Sequence, residues 1–315
     1  MPSWSNILVY ADGRPESSLA IAEALRIAEH VGGRATALDV LHYLPARVPT
    51  GLLALERAEL LGLMQDQRRE QLQDEVAGLR LRSQIDIKVT HGNPAFELIR
   101  QAVRGKHDLV VKSARGREVR RVTSFGSTAL HLVRKSPAPV LLVSPHRALL
   151  EAPKLLCALE LDETDARHEL NRRLLSASRQ LAAVYGADIH VVHVVAQQRT
   201  EAYRAFLSAE LFRRFTRDRH QLLQEDMEAL ITSELSGTPQ VHAHTLEGDP
   251  ADELVDMVQT QRFSHLIMGS VAHLDPGHLI GSVSEDVLTR VECSVLMFKP
   301  AGFESPIEIE VPSAA

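Results

Sequence analysis

Two periodicities alternate along this chain: short apolar, β-branched runs and longer stretches with a helical repeat. Residues 5–12 form a first apolar run that stops at the carboxylate of Asp12. Leu19, Ala20, Ala24, Ile27, Ala28 and Val31 then recur at helical spacing, predicting a helix over 17–31 that Gly32 and Gly33 end. Residues 35–41 predict a second strand. Leu52, Leu55, Leu60, Leu63, Leu72, Val76 and Leu79 stand among charges and predict a long helix over 51–81. Residues 85–90 alternate apolar and polar, as a half-buried strand does, and Asn93 with Pro94 opens a helix over 95–103. Apolar runs at 109–111 and 140–143 then flank a helix start at Gly126 and Ser127. Strands alternating with helices predict an α/β fold built on a parallel sheet.

The same order returns in the second half. A strand is predicted over 154–161, a helix over 166–185, a strand over 188–195, a long charged helix over 201–235 and a strand over 241–245. The stretch EGDPADELV from Glu247 mirrors HGNPAFELI from His91 at an offset of 156. Gly281 and Ser282 mirror Gly126 and Ser127 at an offset of 155. An internal duplication outranks any local reading. It predicts two domains, 1–148 and 149–300, with a boundary near 147–153 and a loose acidic tail over 301–315.

Composition and charge refine this picture. The 315 residues, 44% hydrophobic and 24% charged, suit a globular chain with two cores. No membrane span and no signal peptide are expected. Two cysteines, Cys157 and Cys293, make no disulfide framework and fit a cytoplasmic setting. Aromatic residues are only 4%, which argues against stacking platforms for nucleic acid. Charge is uneven: residues 1–150 carry 21 Lys and Arg against 15 Asp and Glu, whereas residues 151–315 carry 14 against 26. An anionic ligand is therefore expected in the first half.

The stretch 109–145 holds the candidate chemistry. A buried strand leads into a loop with Gly116 and four arginines, Arg115, Arg117, Arg120 and Arg121, and then into a helix at Gly126 and Ser127. A helix amino end offers unpaired N–H groups and the positive pole of its dipole, so this order suits phosphate. A plain strand–loop–helix connection with solvated arginines fits the same spacing.

Taken together, the strand ending in Asp12, the G-[DN]-P-A helix start, the glycine loop and the Gly-Ser helix start resemble the universal stress protein family, and the doubling resembles its tandem type. The resemblance implies two open five-stranded parallel sheets of order 3-2-1-4-5, flanked by helices and arranged as a pseudo-dimer that pairs the last strands, 140–143 and 295–298. It also implies ATP or a related nucleotide at the carboxyl ends of the strands, with Mg2+ accompanying it. Carried onto this sequence, the nucleotide site is Asp12, Val40, Ser113, Gly116, Gly126 and Ser127, with Ser113 standing where the family has its first loop glycine. The second half departs further. Its positions are Glu160, Val194, Gly269, Gly281 and Ser282, but Ala272 replaces a glycine, one loop residue is missing, and Asp275 and Pro276 stand in the loop. Glu160 replaces an aspartate, with Asp162 close by. This second site is expected to be degenerate.

Other chemistry is weighed against this frame. His242 and His244 share one face of a strand, and His190 lies on the neighbouring strand in the family order, which would suit zinc or three solvated histidines. Zinc is not the expected reading. Cys157 and Cys293 are expected to be buried thiols. No Ser-His-Asp order is evident and no catalytic residue is assigned. The expectation is a cytoplasmic stress-response protein that binds a nucleotide in its first domain, without robust enzymatic activity, slow ATP turnover aside. A protein partner is left open, as is a homodimer. The alternative is an interaction module that binds no ATP and holds an apolar or lipid-like ligand in the second domain.

Overall fold

The computed structural model describes residues 4–43, 57–79, 84–114, 125–145, 153–161, 165–196, 202–238, 240–270 and 281–307. The chain divides into two compact units. The expected boundary at 148/149 lies outside the described residues, as do residues 308–315 of the expected tail.

In the first unit β1 (Asn6–Tyr10), α1 (Ser17–Val31), β2 (Arg34–Leu41), α2 (Arg57–Gly78), β3 (Ile85–His91), α3 (Pro94–Arg104), β4 (Leu109–Ser113), α4 (Gly126–Lys135) and β5 (Val140–Val143) follow one another. The strands pair in parallel in the order β3-β2-β1-β4-β5. Ile7 faces Ala35 on one side and Leu109 on the other. The inner strands are buried on both faces, which is why Ile7, Leu8, Val9, Leu109, Val110 and Val111 form an unbroken apolar core. The half-exposed pattern of β3 explains its alternating sequence. Asp108 ties the start of β4 to the start of β1, its carboxylate accepting the N–H groups of Ser5 at 2.8 Å and Asn6 at 3.0 Å.

The second unit repeats the plan with β6 (Lys154–Leu159), α5 (Asp165–Tyr185), β7 (Asp188–Ala196), α6 (Ala209–Glu234), β8 (Val241–Gly248), α7 (Pro250–Thr260), β9 (His265–Gly269), α8 (Ser282–Arg290) and β10 (Ser294–Phe298). Its order is β8-β7-β6-β9-β10. All its strand pairs are parallel too.

The duplication reaches atomic detail at α3 and α7. Asn93 accepts the N–H groups of Ala95 and Phe96, Asp249 those of Ala251 and Asp252, and each helix opens on a proline. Gly92 and Gly248 precede these caps at φ 148 and 155, where a Cβ would strike Glu97 and Glu253 respectively. One predicted element needs correction. The helix expected from 201 opens at Ala209, because the Ser208 hydroxyl accepts the N–H of Leu211 and caps it, while residues 202–206 are turns.

Candidate functional site

Strand register assembles the first site. Tyr10 faces Leu38, so continuing that register sets Asp12, just past β1, level with Val40 near the end of β2. Val9 faces Val111, which brings the end of β4 at Ser113 to the same edge. Strand order reverses between β1 and β4, the crevice where open α/β sheets take their ligands. The amino end of α4 begins at Gly126, which is buried and has φ 78, and Ser127 beside it is exposed. Thus Asp12, Val40 and Ser113 share one sheet edge. Gly116 and the loop arginines Arg115, Arg117, Arg120 and Arg121 lie outside the described residues.

Around this edge the chain places charges that the sequence reading passed over. Asp39 on β2 is buried, its Oδ1 accepting the N–H of Val40 at 2.7 Å. Arg68 from α2 donates to Asp39 Oδ2 at 2.5 Å, to Glu75 at 2.9 Å and to the carbonyl of Ala11 at 3.3 Å. One guanidinium therefore bridges the ends of β1 and β2, the strands that carry Asp12 and Val40. Gly13, at φ 71, leaves room for it: a Cβ there would lie 3.0 Å from Arg68 Nη2. Burial holds the Asp39 carboxyl above its ordinary value even with Arg68 beside it. Asp12 keeps its side chain 11% exposed, accepting the N–H of Arg14 at 3.3 Å with the Arg14 guanidinium 3.7 Å away. On β4 the buried Lys112 donates to the Ser113 carbonyl at 2.6 Å and lies 5.9 Å from the Tyr10 ring centre. A carboxylate in ATALDVL and a lysine in LVVKS are the signals that could have found Asp39 and Lys112. A charge inside a buried strand demands a partner.

The second unit gathers its matching positions and packs side chains against them. Leu159 faces His193, so Glu160 stands level with Val194, and Ala158 faces Met268, which brings Gly269 to the same edge. Leu170 of α5 occupies that edge so closely that a Cβ on Gly269 would lie 2.6 Å from its Cδ2. Asn171 donates to the Glu160 carbonyl at 2.9 Å, and Arg167 lies 3.4 Å from the Glu160 carboxylate. Ser284, in the first turn of α8, donates to the Gly269 carbonyl at 3.0 Å. Lys299 is buried against Ser270, to which it donates at 3.1 Å, and burial pulls its ammonium down to about 8. Gly281 has an ordinary φ of −71, so it makes no demand for glycine, and Ser282 opens α8. Asp162, Ala272, Asp275 and Pro276 lie outside the described residues.

The three histidines do meet. His190 on β7 packs against the rings of His242 and His244 on β8, with centroids 4.6 and 5.1 Å away, and edge-on to Phe263. His190 Nδ1 and His244 Nε2 share a hydrogen bond of 2.9 Å. Among the described residues no group of three His, Cys, Asp or Glu side chains is arranged to hold a metal ion. Burial, with His242 and His244 adding, pulls His190 down to about 4. Its folded ring thus holds a proton less tightly than the unfolded ring at the ordinary 6.5, and the unfolded chain binds more protons between these values. Stability of the second unit should therefore fall as pH drops from about 6.5 toward about 4. In urea unfolding, His190→Phe should make that fall shallower. An unchanged pH slope would assign it to other groups.

Cys157 and Cys293 are both buried thiols outside any disulfide, and burial pushes the Cys157 thiol up to about 12, where no thiolate nucleophile forms. Among the described residues no helix is long and apolar enough to cross a membrane.

Comparison with known proteins adds an independent finding. Universal stress protein E of Escherichia coli (strain K12) is 25% identical across 98% of this chain and 98% of its own length. The same-named protein of Salmonella typhi is 24% identical across 98% and 99%. Among solved structures, a functionally unknown protein from Pseudomonas aeruginosa PAO1 superposes with a TM-score of 0.68, at 17% identity, over 95% of this chain and 94% of that one. A universal stress protein from Archaeoglobus fulgidus DSM 4304 gives 0.63 at 17% identity over 94% and 96%. These likenesses support the two-unit α/β fold described above. Residues 3–144 and 156–299 each match the Universal stress protein family. Two copies cover nearly all of the chain, and it belongs to the universal stress protein family.

Proposed function

We propose that this chain is a cytoplasmic stress-response protein that binds an adenine nucleotide, ATP, in its first unit, and that its second unit is a degenerate partner. The observation that carries this reading is the register that sets Asp12, Val40 and Ser113 on one sheet edge, with α4 opening at the buried Gly126. The residues fit such a ligand. Asp12 is a carboxylate acceptor for ribose hydroxyls, Val40 an apolar wall for a base, and Gly126 with Ser127 supplies N–H groups at a helix amino end for phosphate. Gly116 would join them from the loop. Ser113 is buried, so its side chain forms floor and not rim. Magnesium would accompany the phosphates, and zinc has no part in this reading. The chemistry proposed is binding, and no catalytic residue is assigned. In the second unit Leu170 packs against Gly269, and Asn171 and Arg167 engage Glu160, which favours one nucleotide per chain.

Calorimetric titration with magnesium-ATP tests the proposal, on protein first freed of co-purified nucleotide. Gly126→Asp adds a side chain at φ 78 and a negative charge at the helix amino end. It should weaken binding by about tenfold or more, roughly 1.4 kcal/mol. Gly281→Asp, at φ −71, should leave binding unchanged. Equal loss from both variants would restore a site to the second unit. No heat from the wild type would turn the reading to the interaction module.

A further inference from the structure

A cavity lies in the first unit, between α2 and α3 beside the edge strand β3. Its volume is about 280 Å³, and Arg69, Lys88, Arg100 and Arg104 line it against a single carboxylate, Glu97. The geometry points to a binding site for a compact polyanion, a pyrophosphate or small phosphate ester, distinct from the proposed nucleotide edge.

Three elements contribute the charges. Lys88 stands on β3 opposite Leu38, with an exposed side chain. Glu97, Arg100 and Arg104 follow at helical spacing along one face of α3. Arg69 reaches in from α2, held by Asp66 at 2.6 Å. Glu97, the carboxylate in the lining, is engaged too, accepting from Arg100 at 2.7 Å with its side chain only 17% exposed. It therefore orients a guanidinium as well as offsetting its charge. Thr90 and Gln101 add neutral hydrogen-bonding groups to the lining.

Edge strands commonly carry a lysine that discourages pairing with other chains, and Lys88 alone would need no other account. Three arginines converging from two helices on one cavity go beyond that role. Arginine presents a planar fork that matches phosphate oxygens in pairs, and two forks with an ammonium can satisfy a dianion from several sides. The size sets an upper limit on the ligand. A cavity below the range usual for drug-sized molecules suits a pyrophosphate or sugar phosphate better than a whole nucleotide. None of the lining residues is among those assigned to ATP, so the two sites can be occupied independently.

The test is titration of the full chain with inorganic pyrophosphate, without magnesium, at low and moderate salt. Wild-type protein should bind, and binding should weaken severalfold as screening rises. Lys88→Glu with Arg104→Glu should reduce affinity by tenfold or more, and should do so equally in a Gly126→Asp background. If the charge reversals unfold the first unit, Lys88→Gln with Arg104→Gln tests the same site with smaller perturbation. No pyrophosphate binding by the wild type overturns the proposal. So does binding that survives the cavity variants but is lost in Gly126→Asp, which would place the anion at the nucleotide edge instead. Because Gly126→Asp separates the sites, failure here leaves the nucleotide reading standing, and the reverse holds too.

Discussion

Arg68→Met is expected to destabilise the first unit by about 3–5 kcal/mol at neutral pH, the usual cost of leaving one member of a buried ion pair without its partner. The side chains of Arg68 and Asp39 are 11% and 6% exposed. Methionine keeps the packing of the stem but removes the bonds to Asp39, Glu75 and the Ala11 carbonyl. The sign of the pH dependence follows from Asp39. Burial already raises its carboxyl above the ordinary 3.8, and Arg68 is what holds it down. Without Arg68 the folded carboxyl rises further above the unfolded one, so the folded state takes up a proton first as pH falls. The defect should be largest at neutral pH and shrink on acidification. Urea unfolding followed by the fluorescence of Trp4 reads it. Trp4 is the single tryptophan and is fully buried ahead of β1. In an Asp39→Asn background the same substitution should cost far less, because no carboxylate is left stranded. Equal losses in both backgrounds would show that the pair is not coupled. The proposed nucleotide binding should weaken as well, since the same guanidinium bridges the strand ends next to Asp12 and Val40.

Phe125→Ala should cost a comparable amount, about 3–5 kcal/mol, as expected for deleting a fully buried phenyl ring. Phe125 is 1% exposed and stands immediately before Gly126, at the capping position of α4, where no side chain accepts a helix N–H. Its ring is therefore the local anchor of the helix start proposed to hold phosphate. Two readouts separate anchoring from mere stability. The urea midpoint of the Trp4 signal should drop, and magnesium-ATP affinity should fall even at low temperature, where the variant is still folded. Phe125→Leu should recover most of both. A stability loss below about 1 kcal/mol would mean that the ring contributes little packing.

Much of this architecture is readable from residue order, because both central strand sets are buried on two faces and so appear as unbroken apolar runs. The caps were equally plain. Asn93 and Pro94, like Asp249 and Pro250, announce their helices by chemistry that works locally. The start of α6 was harder. Glu201 onward looks helical by composition, and only Ser208, a hydroxyl followed by an acidic first turn, marks the true beginning. Long-range pairing was the part least available to local reasoning. Arg68 meets Asp39 across 29 residues, and Leu170 reaches Gly269 from the far end of its unit. Nothing in either neighbourhood specifies the other; only the packing of helix on sheet does. The same gap hid the side chains packed at the second edge. The sequence reading inferred degeneracy from missing glycines, and the contacts of Leu170 and Asn171 with Gly269 and Glu160 are a separate feature that it did not foresee.

The Asp108 carboxylate that holds the first residues of β1 has a consequence during synthesis. It bonds backbone groups 102 and 103 positions earlier, and β1 needs β4 on one flank before it is enclosed. At ribosomal rates of about 5–20 residues per second, β1 is made roughly 5–20 s before its partner emerges. During that interval β2 can cover only one side of an apolar strand, and the other remains open to solvent and to neighbouring chains. The second unit repeats the delay, since β6 waits for β9 across 110 residues. A nascent chain of this protein therefore passes twice through a stage that calls for chaperone protection, each ended by the arrival of a single strand.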